Sequence, residues 1–396
     1  MGSQELNKLK IGIVINSKMS VGGGFSYAQT LVDNFIIEKS KYDFVFYSNE
    51  ISTVKYLQSN GLHAKLTYDG LRKFLSGAIR RKELSIGQKI EKLIEQDKID
   101  LVYLVGPFDT WTKLKSTNFI ITIHDLGHRD VSQFPEVYKN NEFDRREKIY
   151  GGGVKKALAV VVDSEITKNK LAKYYGIEES KIIIIPFVTK SRDIDIKLDK
   201  AYLQQKYQIN TNYVYYPAQF WAHKNHKYIL DGILELEKLY GIVVDMVFSG
   251  SDYGTKNHIQ QLANEMGLAN RLHILGFIPD EDVTALYINS LALVMPTYLG
   301  PTNIPPLEAF KLKVPVIYSK QDDIDDILKI GCNLVDLSEP KDLTEILIKI
   351  IDRDISVADK VEIAYENIIK REAEFSLKSI FNVFDRYALS KAMWSK

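Results

Sequence analysis

One cysteine, Cys332, in 396 residues leaves no internal disulfide framework and fits a reducing compartment. No apolar run approaches ~20 residues, so the chain offers no segment for a membrane-crossing helix. Neither sign of charge is in excess. Lys plus Arg number 52 against 51 Asp plus Glu, which removes the global basic field that nucleic-acid binding needs. Internal repeats are absent, and the opening MGSQEL lacks the pattern of a signal peptide. A cytoplasmic protein is expected. What the chain has is a 45% apolar and 26% charged composition, with length enough for two separate cores.

Apolar runs and helical patterns alternate along both halves. Examples are KIGIVINS from Lys10, DFVFYS, DLVYLVG from Asp100, FIITIHD from Phe119, KIIIIPFV and NYVYYP from Asn212. Short buried strands between helices imply an α/β fold with parallel sheets. The polar stretch from Ser191 to Lys200 is the linker candidate. Residues 1–190 are then an N-terminal domain and 191–374 a C-terminal one. A closing helix in 375–396, with an apolar stripe from Phe375, returns to the first domain.

The most informative stretch is Pro296 to Pro315, PTYLGPTNIPPLEAFKLKVP. LALVMP feeds into it as a buried strand. Gly300, Pro301, Pro305 and Pro306 make a turn, and LEAFKLK has helical spacing up to Pro315. A strand, a turn and a helix N-terminus present backbone N–H groups at the positive end of a helix, which suits phosphate. Glu308 is placed in the first turn, where its carboxylate can accept the vicinal hydroxyls of a ribose or sugar. The plain alternative is a glycine-proline turn with an acidic residue that only complements the helix dipole.

Other positions carry chemistry. Gly22, Gly23 and Gly24 follow the first strand, and a helix is expected from about Ser26. The glycines serve either a tight turn or a close backbone approach to a ligand. Their spacing is not the dinucleotide fingerprint, so NAD is not expected. His124 and Asp125 end a strand where parallel sheets bind ligands; a loop-capping pair is the alternative. Gln219 and Lys224 follow the strand Tyr213–Pro217, and Lys224 is placed at the start of the next helix for a diphosphate. His223 and His226 have no further ligand set around them and are assigned to packing or surface. Asp193 and Asp195 form an Asp-x-Asp pair after no apolar strand, so no metal site is assigned. Gly151, Gly152 and Gly153 fall in or near a helix, where glycine is costly; close packing is the expected reason. The stretch 71–94 interleaves Arg72, Lys73, Arg80, Arg81, Lys82 and Lys89 with Phe74, Leu75 and Ile79. It reads as a solvated helix face or, more sharply, as a peripheral contact with an anionic membrane.

PTYLGPTNIPPLEAFKLKVPVI resembles the donor-binding signature of the family 4 glycosyltransferases, retaining enzymes of the GT-B fold. The resemblance runs from about Lys10 to the C-terminus and is strongest from Tyr213 to Ile317. It implies two doubly wound Rossmann-like domains facing a central cleft, and a nucleotide-diphosphate sugar (UDP or GDP) as donor. It further implies a hydroxyl of a glycan or lipid-linked acceptor and retention at the anomeric carbon without a metal or cofactor. Bacterial surface polysaccharide synthesis, at the inner face of the membrane, is the setting it suggests. Its signature has two glutamates. Glu308 matches the second, the ribose contact, and Gly300 stands where the first would grip the sugar. Its Arg and Lys pair becomes Gln219 and Lys224. The resemblance also assigns the donor contacts Gly23, Gly24, Asp125, Ser249, Gly250, Phe277, Pro301, Thr302, Asn303 and Ile304, with His124 on the donor sugar or the acceptor. His124, Lys224 and Glu308 are the residues expected to act in catalysis. The departures at 219 and 300 leave two alternatives, a nucleotide-sugar epimerase on the same fold or a non-catalytic binder.

Overall fold

A computed structural model describes residues 8–17, 23–37, 41–67, 89–189 and 199–394. Within these, thirteen strands form two wholly parallel sheets. The first contains β1 (Lys10–Val14), β2 (Asp43–Ser48), β3 (Ala64–Leu66), β4 (Leu101–Leu104), β5 (Asn118–Thr122), β6 (Ala159–Val162) and β7 (Ile182–Ile184), in the order β3-β2-β1-β4-β5-β6-β7. The second contains β8 (Tyr213–Pro217), β9 (Asp245–Ser249), β10 (Leu272–Gly276), β11 (Ala292–Met295), β12 (Val316–Ser319) and β13 (Asn333–Val335), in the order β10-β9-β8-β11-β12-β13. Each order reverses once, between β1 and β4 and between β8 and β11, as in doubly wound sheets.

The chain divides into two compact units. The first takes the described parts of Met1–Leu126, Asp144–Phe187 and Phe375–Lys396, and the second takes Gly127–Phe143 and Val188–Glu374. The excursion Gly127–Phe143 therefore packs with the second unit, although the chain on either side of it belongs to the first.

Strand periodicity builds the core of the first unit. Leu101 and Tyr103 of β4 enter one apolar cluster, and Val102 and Leu104 enter the other. Successive residues point to opposite faces, so a sheet covered on both sides needs unbroken apolar strands. Helix Lys378–Ala392 closes one of these faces with Ile380, Val383 and Phe384. Lys391 and Tyr387 anchor it to Asp100, and Asp385 takes hydrogen bonds from Lys41 (2.7 Å) and Tyr42 (2.7 Å).

Several local expectations shift. The first helix spans Gly23–Ile37, so Gly23 and Gly24 open the helix rather than precede it. Gly151–Gly153 lie inside helix Glu142–Lys156; Gly152 and Gly153 pack against the indole of Trp111, and a Cβ on Gly152 would sit 2.6 Å from that ring, whereas one on Gly151 would meet Tyr175 only at 3.7 Å. Close packing explains Gly152 and Gly153, against a tryptophan from the turn Asp109–Lys113, but not Gly151. Ser164 caps helix Glu165–Tyr175 by accepting the Thr167 N–H at 3.2 Å. Gly22, residues 71–88 of the basic stretch, and Asp193 and Asp195 lie outside the described residues. Of 89–94, Ile90, Leu93 and Ile94 are buried in helix Ile90–Gln96.

Candidate functional site

In the second sheet, β8 and β11 are neighbours, and the connections leaving their carboxyl ends run to opposite sides. Such a point leaves a crevice that side chains do not fill. The β8 connection runs through Gln219 and a 3-10 turn, Ala222–Lys224, before helix His226–Tyr240 begins. Lys224 thus precedes the helix instead of starting it. Asn225 makes the turn in the left-handed region (φ 53°), which Asn tolerates better than most residues. The Tyr216 hydroxyl donates to the Lys224 carbonyl (3.0 Å), and Trp221 Nε1 donates to Gln219 Oε1 (3.0 Å).

The β11 connection is tightly tied. Gly300 has φ 115°. Its carbonyl accepts from Tyr318 Oη (2.9 Å) and Asn303 Nδ2 (3.2 Å), and Asn303 Nδ2 also donates to Tyr318 Oη (2.6 Å). The Pro301 carbonyl takes the Asp325 N–H at 2.8 Å, and Arg371 holds the Asp325 carboxylate at 3.1 Å. Helix Ile304–Lys311 then starts from extended Asn303 with no side-chain cap. Pro305 and Pro306 sit in its first turn, where a missing N–H costs nothing. The helix starts four residues before Glu308, so Glu308 lies beyond the first turn. It is 9% exposed, and its Oε2 accepts from Tyr287 Oη at 3.2 Å. Lys313, with φ 54°, ends the helical stretch before Pro315.

His223 joins these two connections. Its carbonyl accepts the Tyr298 N–H (2.9 Å) and the Thr297 hydroxyl (3.4 Å). Its own N–H (2.9 Å) and Nδ1 (2.6 Å) both meet Oε1 of Glu136, in the excursion Gly127–Phe143. Burial raises the Glu136 carboxyl, but the contacts from His223, together with the Glu136 backbone N–H, outweigh it and hold Glu136 below the usual carboxylate range. Phe134 packs on Tyr298 with ring centroids 5.2 Å apart. His226 is a packing residue, as expected. It is 1% exposed, stacks on Phe220 at 4.5 Å, and burial lowers it to about 3.

The neighbouring turns come close to the β8 connection. Tyr215 and Ser249 hydroxyls are 2.8 Å apart. Gly250 has φ 150°, and a Cβ there would lie 2.3 Å from the Ala218 carbonyl oxygen, so only glycine fits. Its N–H donates to the Gly276 carbonyl (2.8 Å). Phe277 is 63% exposed, and Tyr253 stacks on Trp221 at 4.2 Å. Gln219, Lys224, Ser249, Gly250, Gly300 to Ile304 and Glu308 therefore cluster at one end of the second sheet.

Gly23, Gly24, His124 and Asp125 belong to the first unit. His124 follows β5 and packs edge-on against Tyr27 (5.0 Å) and near Phe187 (6.2 Å). Burial lowers it to about 4 despite the neighbouring Asp125, so its imidazole is neutral at pH 7. Below it, hydroxyls of Tyr27, Tyr103 and Thr122 form a buried chain, at 3.4 and 2.9 Å. Asp125 is ion-paired with Arg146 at 2.9 Å. Sequence reasoning missed Glu136, Tyr287 and Tyr318. Glu136 meets its partner across 87 residues, and no local pattern signals such a contact.

Two family models divide the chain between them. "Glycosyltransferase Family 4" matches residues 22–187, and "Glycosyl transferases group 1" matches residues 199–371. The O-antigen chain mannosyltransferase RfbU of Salmonella typhimurium is 25% identical over 225 residues, 57% of this chain and 58% of that protein. The chain thus spans little more than half the length of that curated relative. A glycosyltransferase from Rickettsia africae, 19% identical, superposes with a TM-score of 0.67 over 98% of this chain and 100% of its own. Anabaena Alr3699/HepE, solved in complex with UDP-glucose, is 16% identical with a TM-score of 0.67, covering 97% and 100%. At these identities the two structures establish the fold.

Proposed function

The chain belongs to the family 4 glycosyltransferases of the GT-B fold, and on that premise we propose that it moves a sugar from a nucleotide-diphosphate sugar to a hydroxyl. The acceptor is a glycan or a lipid-linked saccharide, the anomeric configuration is retained, and the product serves surface polysaccharide synthesis. One observation carries the reading. Lys224 and the uncapped start of helix Ile304–Lys311 lie on the connections that leave the two switch-point strands of one sheet, tied together by the 2.9 Å bond from the Tyr298 N–H to the His223 carbonyl.

The chemistry follows from charge. Cleaving the sugar–phosphate bond leaves negative charge on the diphosphate. Lys224 and the N–H groups at Thr302, Asn303 and Ile304 supply fixed positive potential for it, which is preorganised electrostatic catalysis. Each charge-assisted contact contributes on the order of 1.5–3 kcal/mol. The acceptor then attacks from the face the leaving group vacates, so no protein nucleophile is required. Glu308 takes the ribose hydroxyls in this reading. His124, neutral at pH 7, is the first unit's contact to the sugar or the acceptor and can accept a hydrogen bond from a hydroxyl. Ser249, Gly250 and Phe277 flank the base. With Gly300 in place of a carboxylate, the sugar is read by backbone and neutral groups. Peripheral attachment through 71–94 belongs to the same proposal.

The O-antigen chain mannosyltransferase of Salmonella and the UDP-glucose in the Anabaena structure support the class of reaction and donor. The test is incubation with a mixture of UDP- and GDP-sugars and an acceptor panel, read by mass spectrometry. A glycosylated product is expected. An epimerised sugar formed without acceptor, or binding with no turnover, overturns the proposal.

A further inference from the structure

We propose that Glu136 is a positioning residue for the diphosphate contact: through His223 it fixes the backbone that presents Lys224. This rests on the reading of Lys224 given above and adds a residue from outside the donor-binding sequence signature.

Three contacts meet at His223. Its N–H and Nδ1 converge on one carboxylate oxygen, Glu136 Oε1, at 2.9 and 2.6 Å. Its carbonyl takes the Tyr298 N–H from the β11 connection at 2.9 Å. The His223 and Glu136 side chains are 11% and 13% exposed, so water competes weakly for these bonds. An ionised Glu136 accepts both, which places a proton on Nδ1 of the ring. The ring is held further by Trp221 at 6.5 Å and Phe134 at 6.3 Å. The next residue is Lys224, and its carbonyl is fixed in turn by Tyr216 at 3.0 Å. The lysine's backbone is therefore held from both sides, and one of the two holds comes from Glu136.

A bond that merely stabilised the fold would not need this location. A 3-10 turn of three residues followed by a left-handed residue has little intrinsic stiffness. A lysine on such a turn gains from an external brace, because preorganised charge acts on the leaving group without reorganisation. The carboxylate does not contact the ligand in this scheme. Its effect must therefore run through Lys224.

The experiment is a double-mutant cycle on affinity for UDP and GDP, measured by isothermal titration with the full chain. Lys224→Ala and Glu136→Ala, which removes the shared acceptor oxygen, are each expected to weaken the better-bound nucleotide about tenfold, and Glu136→Ala is expected to add less than about twofold in the Lys224→Ala background. His223→Phe, which keeps the ring packing but removes the Nδ1 donor, should weaken binding in the same direction and provides the same test if Glu136→Ala does not fold. Additive losses, or parent affinity in both Glu136→Ala and His223→Phe, overturn the inference. Parent affinity in Lys224→Ala overturns the diphosphate reading itself, a separable outcome.

Discussion

A Cβ on Gly300 would lie 2.3 Å from Nδ2 of Asn303, the atom that donates to the Gly300 carbonyl at 3.2 Å. The glycine and the asparagine are thus fitted to each other, and φ 115° at Gly300 adds a conformation that L side chains rarely adopt. Placing a glutamate at 300, as the resembled signature has, looks from sequence like a test of sugar selection alone. The geometry makes it a test of the loop. Gly300→Ala should lower stability by about 1–3 kcal/mol, the usual scale for such backbone strain. Thermal unfolding checks it, and Asn303→Ala in the same chain should recover only the part due to overlap. An unchanged melting temperature in Gly300→Ala would show that the turn relaxes freely.

Stability should fall as pH drops below about 6.5. His124 is lowered by burial to about 4 and His226 to about 3, whereas both titrate near ~6.5 when unfolded. Between those values the unfolded chain binds protons that the native state refuses. Each histidine then costs about 1.4 kcal/mol per pH unit, and the contribution is fully present above ~6.5. Denaturant titrations at pH 7.5, 6 and 5 measure the slope. His226→Phe should flatten it, since the ring lies among Phe220, Tyr216 and Phe248.

The last helix should behave as part of the first unit's core. Phe384 is fully buried and meets Tyr42 at 5.4 Å and Phe381 at 5.9 Å. Phe384→Ala is expected to cost about 3–5 kcal/mol, as for other buried aromatic deletions. Chemical denaturation followed by near-ultraviolet circular dichroism reports it. A loss below about 1 kcal/mol would mean that the helix docks weakly.

Transfer should survive chelation. In the proposed mechanism Lys224 and backbone N–H groups carry the diphosphate charge, so EDTA should leave the rate unchanged. A rate lost to EDTA and restored by Mn²⁺ would bring Asp193 and Asp195 forward as ligands.

The sheets were legible because a strand covered on both faces must be apolar throughout, as β4 and β6 are. The glycine-proline turn before Glu308 was equally legible. The helix start was not, because Pro305 and Pro306 read as part of the turn, whereas the first helical turn accepts proline. The departures at Gly300 and Gln219 were visible in the sequence, but their geometry was not. The φ of Gly300 is fixed by Tyr318 and Asn303, and Gln219 is held by Trp221. Glu136 illustrates the deeper limit. It lies in an excursion whose chain neighbours belong to the other unit, and nothing local marks a carboxylate destined for a histidine 87 residues away.

The most direct test of the donor site is Glu308→Gln, titrated calorimetrically with UDP and GDP. Glutamine keeps an acceptor for the Tyr287 hydroxyl, now 3.2 Å from Glu308 Oε2, and removes the charge that would hold two ribose hydroxyls. The account predicts that one of the two nucleotides binds the parent protein. It predicts a loss of about 1.5–3 kcal/mol in the variant, with the unliganded melting temperature little changed. Parent-like nucleotide affinity in Glu308→Gln would contradict the ribose assignment and reduce the stretch from Pro296 to Pro315 to a turn and a helix.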